Sequence, residues 1–269
     1  MTARRALVTG ASSGIGAATA RELANAGYRV ALLARRKDEL EALARELASP
    51  PGEPHVCLVC DLTVPAQIER AFSELERTFG GLDLLVNNAG SGYRALVEEL
   101  EPELLRRVFE TNVIGLLLAC KAALPLLVRG TRPVVVDVAS VVGRRGIPGQ
   151  AAYSASKAAV VSIGEALRLE WAEHGIAVCT LNPGLTATGF FEAQPNPSRL
   201  QDPELRTAHG PEHVARTILA LDRKPRAELS MRPKWRWLAL LSIAWPKLAD
   251  AFVERRLGFR HERTSRDGS

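Results

Sequence analysis

Cysteine is scarce in this chain of 269 residues, which has four. Cys57 and Cys60 form a C-x-x-C pair similar to a redox or zinc half-site, but they fall on an expected strand, where residues three apart face opposite sides. No second such pair and no suitably spaced histidine pair completes a metal set. His209 and His213 are four apart, yet Pro211 lies between them and no third ligand is evident. The expectation is buried, reduced thiols and no metal. Repeats and low-complexity tracts are also missing. The Pro-rich SPPGEP segment (Ser49 to Pro54) is too short for a domain linker and reads as a loop. Met1 is followed within a few residues by the first expected strand, which leaves no space for a signal peptide and predicts a cytoplasmic protein. The apolar run Trp237 to Trp245 is about half of the ~20 residues needed to cross a bilayer, so a transmembrane helix there is excluded on length.

What is present is an alternation of short apolar runs with helical stretches. This pattern predicts a parallel sheet covered on both faces in a single α/β domain, a size that 269 residues allow. Expected strands are Ala6 to Thr9, Tyr28 to Ala34, Val56 to Val59, Leu82 to Val86 and Pro133 to Val138. The first runs straight into TGASSGIG (Thr9 to Gly16) and then into the helix-forming stretch Ala17 to Ala26. Gly10, Gly14 and Gly16 leave room for a pyrophosphate to approach the backbone, and a helix starting near Gly14 aims its free N–H groups at that charge. The spacing G-x-x-x-G-x-G departs from the G-x-G-x-x-G fingerprint. A tight loop after an edge strand is the alternative.

The second run ends in Arg35 and Arg36. In nucleotide folds of this type a carboxylate at the end of the second strand accepts hydrogen bonds from the adenine ribose, whereas arginine accommodates a 2′-phosphate. Ala34 occupies the place where an aspartate could stand and two guanidinium groups follow, so NADPH is expected over NADH. The alternative is that both arginines are solvated charges opening the next helix. Further on, Tyr153 and Lys157 lie four residues apart in YSASK, thirteen residues after Ser140. Positions i and i+4 share one helix face, which sets a phenol beside an ammonium. A cation nearby favours the phenolate and brings the proton of a tyrosine, ordinarily lost near pH ~10, closer to use at neutral pH.

TGASSGIG, NNAG (Asn87 to Gly90), Asn112, Ser140, YSASK and Pro183-Gly184 occur together in an order and spacing that closely resemble the classical short-chain dehydrogenase/reductase family, over roughly residues 4 to 220. The resemblance implies a doubly wound, Rossmann-type, three-layer α/β/α fold. It also implies roles. Ser140 would hold the substrate oxygen, Tyr153 would exchange the proton, Lys157 would lower the tyrosine's pKa and bind the nicotinamide ribose, and Asn112 would anchor a water linking Lys157 to solvent. Cofactor would be held by Gly10, Ser12, Ser13, Gly14, Ile15 and Gly16 at the turn. Asp61 and Leu62 would flank adenine, and Asn88, Ala89 and Gly90 would line the adenosine ribose. Thr186 and Thr188, after Pro183 and Gly184, would hold the nicotinamide carboxamide. The implied activity is hydride transfer between NADP(H) and a ketone, aldehyde or alcohol, in a homodimer or homotetramer. Rivals are an NADP(H)-sensing protein without chemistry, which need not keep Ser140, Tyr153 and Lys157 in register, and an isomerase or lyase with retained cofactor.

The same resemblance makes residues 185–210 a substrate loop over the catalytic domain 1–222, with Phe190 and Phe191 facing the pocket. Tyr93 and Val142 are further candidates for its wall. A hydrophobic, even lipidic, carbonyl compound is the preferred substrate class. Residues 223–269 form a basic extension with twelve Lys or Arg against five Asp or Glu, while the chain as a whole has a net charge of +5. Three of its four tryptophans, Trp235, Trp237 and Trp245, lie there. Two amphipathic helices joined at Pro246 are expected, and residues 234–260 read either as a peripheral membrane contact or as a lid or subunit contact. No nucleic-acid-binding motif accompanies the charge, so no nucleic acid is expected.

Overall fold

Short runs rich in Val, Leu and Ala, closed by Gly, Asn, Asp or Ser, become the strands of one sheet in the computed structural model, which describes residues 3–201 and 208–257. The first half of the chain runs β1 (Arg5–Thr9), α1 (Gly14–Asn25), β2 (Arg29–Ala34), α2 (Lys37–Glu46), β3 (Val56–Val59), α3 (Pro65–Phe79) and β4 (Leu84–Asn87). Next come α4 (Pro102–Phe109) and α5 (Gly115–Val128), joined by a π-helical turn, Glu110–Ile114. The second half continues with β5 (Val134–Val138), α6 (Ala151–Glu170), β6 (Ala177–Asn182), α7 (Phe190–Ala193), α8 (Pro211–Arg223) and β7 (Glu228–Ser230). A helical hairpin follows, α9 (Pro233–Ala244) and α10 (Pro246–Leu257). Residues 202–207 of the expected substrate loop and 258–269 of the basic extension lie outside the described residues.

The strands are all parallel, in the order β3-β2-β1-β4-β5-β6-β7. Successive side chains alternate between the two faces. Leu7, Leu33 and Leu85 therefore pack with Ile68, Phe72 and Leu75 of α3, Leu126 of α5 and Val160 of α6. Ala6, Val8 and Val86 pack with Leu23 of α1, Leu40 of α2 and Ile218 of α8. Each fully buried Leu, Ile or Phe contributes about 1.5–3 kcal/mol of transfer free energy, so the double-sided core is what holds the three layers together. A polar clamp adds to it: Asp222 of α8 accepts from the Arg4 guanidinium at 2.7 Å and from the Tyr28 hydroxyl at 2.5 Å. Burial raises the Tyr28 phenol to about 12.

The span Pro102–Val128 is long and apolar enough to cross a membrane by composition. Its Leu116, Ala119, Cys120, Ala123 and Leu127 instead lie in the core against the sheet. The C-x-x-C pair splits as expected, Cys57 packing on one side of the sheet and Cys60 on the other. Two expectations shift. The fourth strand is Leu84–Asn87 rather than Leu82 to Val86, because the Leu82 N–H donates to the Leu126 carbonyl and not to a strand. The helices joined at Pro246 are present, but α9 is apolar on both sides rather than amphipathic, with Leu238 and Ala239 buried and Trp237, Leu240 and Ile243 exposed.

The chain builds outward from β1 to β3, then crosses back to β4 beside β1. At this reversal the carboxyl ends of β1 and β4 diverge into a crevice, the place where parallel sheets of this kind take ligands.

Candidate active site

The glycine turn lies at the mouth of that crevice. Gly10 has φ +66°, in the left-handed region, and a Cβ there would sit 2.8 Å from the Ala89 Cα. A Cβ on Gly16 would sit 2.2 Å from the Gly10 carbonyl oxygen, so no side chain fits. These contacts close the turn tightly against β4. Thr9, a residue to which the sequence assigns no role, is the other clamp. Its Oγ1 accepts from the backbone N–H groups of Asn88 and Ala89, both at 3.0 Å, while the Asn88 Nδ2 donates to the Thr9 carbonyl at 3.0 Å. The N-terminus of α1 has no side-chain cap from Ser13 and no acidic residue in its first turn. Its first N–H groups and positive dipole end thus face the crevice, with Ile15 half-buried behind them. Thr188, from the loop after β6, reaches across this turn, with its Cγ2 3.3 Å from where a Gly14 Cβ would stand.

At the end of β2, the Arg36 Nη2 donates to the Ser12 Oγ at 3.0 Å, and its Nη1 pairs with Glu39 at 3.3 Å. Both Arg35 and Arg36 are exposed at the crevice edge. After β3, the Asp61 carboxylate accepts from the Thr63 hydroxyl and N–H at 2.8 and 3.0 Å. Leu62 is drawn into the core with α3 and α5, leaving Asp61 as the member of the pair at the surface.

Ser140, Tyr153, Lys157 and Asn112 converge from three elements. Ser140 follows β5 and its Oγ accepts from the Val142 N–H at 3.4 Å. Tyr153 and Lys157 project from the first turns of α6, and the Lys157 Nζ lies 6.0 Å from the Tyr153 ring centre and donates to the Val138 carbonyl at 2.8 Å. Asn112 sits in the π-helical turn, a local geometry frequent at functional sites. Its amide is fully committed: Oδ1 accepts from the Ser91 N–H at 2.7 Å, and Nδ2 donates to the Ser91 carbonyl at 2.9 Å and to the Ser156 Oγ at 3.0 Å. The Ser156 hydroxyl in turn donates to the Tyr153 carbonyl at 2.7 Å, so Asn112 ties the loop after β4 to the helix that carries the tyrosine. Gly90 fits between them, since a Cβ there would be 3.5 Å from the Lys157 Nζ.

Beneath Lys157 lies a group that the sequence reading passed over. Asp137 in β5 is fully buried, accepts from the Asn87 Nδ2 at 2.8 Å through Oδ1, and has no hydrogen-bond partner at Oδ2. Burial raises its carboxyl to about 6, against the lowering effects of Asn87 and Lys157. Burial lowers Lys157 to about 8, and the Asp137 charge works in the other direction. The phenol of Tyr153 is raised by burial, with Ser140 pulling it down. This net direction is opposite to the one expected from Lys157, because desolvation outweighs the hydrogen bond from Ser140.

The loop after β6 completes the site. The Pro183 carbonyl accepts from the Val141 N–H at 3.0 Å, coupling this loop to the Ser140 segment, and the Thr186 hydroxyl donates to the Gly184 carbonyl at 3.2 Å. Phe190 packs its ring 5.6 Å from that of Tyr153 and 5.7 Å from Phe191. Val142 is buried beside Ser140. Tyr93 is not part of a pocket wall as expected: it is 1% exposed in a separate cluster with Ala95, Val108 and Ala152, and its hydroxyl accepts from the Glu101 N–H at 2.7 Å. A ring that large after a tight turn gains more by filling the gap under α4 than by facing the crevice. A cavity of about 470 Å³ opens between Ala95–Val97, Pro148, Gly149, Ala151 and α10.

The profile of the short chain dehydrogenase family matches residues 4–198. Carbonyl reductase family member 4 of Danio rerio is 35% identical over 82% of this chain and 92% of its own length. Among solved structures, an alcohol dehydrogenase from the archaeon Thermococcus sibiricus, complexed with 5-hydroxy-NADP, superposes with a TM-score of 0.77 at 31% identity, over 86% of this chain and 97% of that one. A 3-ketoacyl-(acyl-carrier-protein) reductase from Brucella melitensis, complexed with NADH, has a TM-score of 0.74 at 30% identity, over 85% and 96% of the two chains. The chain belongs to the short-chain dehydrogenase/reductase family of oxidoreductases.

Proposed function

We propose that this protein is an NADPH-dependent reductase that interconverts a hydrophobic ketone or aldehyde with its alcohol. The observation that carries the reading is the convergence of Ser140, Tyr153 and Lys157 on the crevice into which the glycine turn also opens. The nicotinamide, when bound, supplies or accepts the hydride at the carbonyl carbon. Gly10, Ser12, Ser13 and the N–H groups at the start of α1 suit its pyrophosphate. Lys157 would hold its ribose, and Thr186 and Thr188 would hold its carboxamide. Ser140 donates to the substrate oxygen, where negative charge develops, and Tyr153 passes its proton to the same atom. Lys157 keeps a positive charge beside that proton.

The preference for NADPH is supported by Arg36, held at Ser12 by its hydrogen bond, and by Ala34 standing where a ribose-binding carboxylate would be. Solved relatives carry either form of the cofactor, so specificity rests on these residues. The hydrophobic substrate is supported by Phe190 and Phe191 next to Tyr153. Self-association into a dimer or tetramer belongs to the same reading, supported by the exposed Leu117 and Val128 on α5 and Leu169 on α6. Light scattering of the purified chain tests it.

The deciding experiment follows NADPH consumption over a panel of steroid, retinoid, acyl, aromatic and sugar carbonyls, beside Tyr153→Phe. Nucleotide binding is checked by fluorescence in both proteins. Turnover that is lost in Tyr153→Phe while binding persists supports the reductase and identifies its substrate class. Failure of the wild-type chain to bind NADPH overturns the cofactor assignment.

A further inference from the structure

The C-terminal hairpin is held to the body by one side only. Leu238, Ala249 and Val253 are buried together, with Ile147, Trp235 and Leu241 packed against them. On the other side Trp237 is 73% exposed, Ile243 82%, Trp245 61%, Leu248 61% and Phe252 52%. At about 100° per residue, Trp237, Leu240 and Ile243 fall within an arc of about 120° on α9, and Leu248 and Phe252 within about 40° on α10. So much exposed apolar surface in one short segment marks an interaction site.

The charges around this surface have one sign. On α9, Arg236 falls within the arc, Lys234 lies about 60° beyond its Trp237 edge, and there is no acidic residue. On α10, Arg255 lies about 20° from Leu248 at the exposed apolar side, whereas Lys247 lies about 100° round the helix from it. Its two acids, Asp250 and Glu254, lie on the far side, where both line the cavity and Asp250 pairs with Arg145. The face is thus apolar with a cationic rim, and its tryptophans stand where an amphipathic ring meets the boundary between hydrocarbon and water.

From these observations we infer that α9 and α10 dock this protein on an anionic lipid bilayer, lying in the interface. A helix of the 12 residues of α9 is about 18 Å long against a hydrocarbon core of ~30 Å, so the hairpin rests on the membrane and does not span it. A second copy of the chain is a poorer occupant. A two-fold contact apposes identical patches and would bring the cationic rims together, whereas anionic headgroups neutralise them.

The test uses the full chain with vesicles of phosphatidylcholine alone and with added phosphatidylserine, measured by co-sedimentation. Quenching of tryptophan fluorescence by brominated lipid serves as a second readout that needs no variant. Binding is expected only to the anionic vesicles, weakened by salt and accompanied by quenching. Neutralising Lys234, Arg236, Lys247 and Arg255 to Gln weakens it by roughly fivefold per cation removed. The exposed pair Trp237→Glu and Ile243→Glu abolishes it with an unchanged melting temperature. Absence of binding by the folded wild-type chain, or equal binding to neutral vesicles, overturns the inference. So does a concentration-dependent dimer that the Glu pair breaks while vesicle binding survives, which would assign the face to a second copy. Both readouts are independent of turnover and of the proposed reductase activity.

Discussion

At the β1–β3 end of the crevice the polar work falls to backbone and exposed charge: a glycine turn, the first N–H groups of α1, and Arg36 anchored on Ser12 at the surface. At the β4–β6 end it falls to buried side chains: Asn112, Ser156, Lys157 and Asp137 are all buried and linked by hydrogen bonds or by charge. The difference follows from what each end must do. A nucleotide brings its own charge and meets N–H groups that need no tuning. A proton donor and its neighbours need altered affinities for protons, and only burial and close charges supply those. The first end therefore tolerates change in steps, whereas the second is a coupled set.

Substitutions in the two ends separate them. The largest effect is expected from Ser140→Ala, which removes a donor to the developing oxyanion: kcat falls by roughly 10²–10³ with nucleotide binding unchanged, read by steady-state kinetics and fluorescence titration. A comparable loss of binding would mean that the two ends are not separable. Next comes Arg36→Ala, expected to weaken NADPH binding by about tenfold or more and leave NADH nearly untouched, because a charged hydrogen-bond partner of the 2′-phosphate is lost. Equal effects on both nucleotides would return Arg36 to the role of a solvated charge.

Asp137→Asn probes the coupling directly. Because burial lowers Lys157 to about 8 and Asp137 opposes that, removal of the carboxylate lets Lys157 lose its proton at lower pH. The alkaline limb of the activity profile then moves down by about one pH unit. Stability carries a second signature. The Asp137 carboxyl is raised from 3.8 to about 6, so the folded state holds its proton more tightly than the unfolded one. Its stabilising contribution is complete below 3.8 and is lost as pH rises through about 6. Lys157 acts in a higher window: lowered from 10.5 to about 8, it makes stability rise with pH between those values. Melting temperatures of Asp137→Asn across pH should lose the fall in the acid window. A profile parallel to wild type would show that Asp137 is a passive part of the core. The smallest effect belongs to Tyr93→Phe, which removes the acceptor for the Glu101 N–H: about 1 kcal/mol of stability by denaturant titration, with kcat unchanged.

The parts that were legible in the sequence are those whose signal is local. TGASSGIG reads as a strand, a turn and a helix because glycine, apolar runs and helix formers act within a few residues, and Tyr153 and Lys157 read as a pair because a helix puts i and i+4 together. Asp137 stands inside VVVDV, one polar residue in an apolar run, and nothing adjacent in the chain announces that Lys157, twenty residues on, lies above it. Tyr93 was misplaced for the same reason: its position after NNAG suggested the crevice, but packing under α4 took it into the core. In α9 the apolar residues spread around the helix, and only contact with Ala249 and Val253 chose which of them to hide.

By itself, then, the sequence determined the strand and helix alternation, the glycine turn and the pairing of Tyr153 with Lys157 on one helix face, since each depends on backbone preferences and short-range periodicity. Tertiary structure alone decided the proton affinities of Tyr153, Lys157 and Asp137 and the exposed apolar face of the C-terminal hairpin. Desolvation and Coulomb energy depend on which distant residues are brought near, and that is settled only when the sheet is assembled and its layers close.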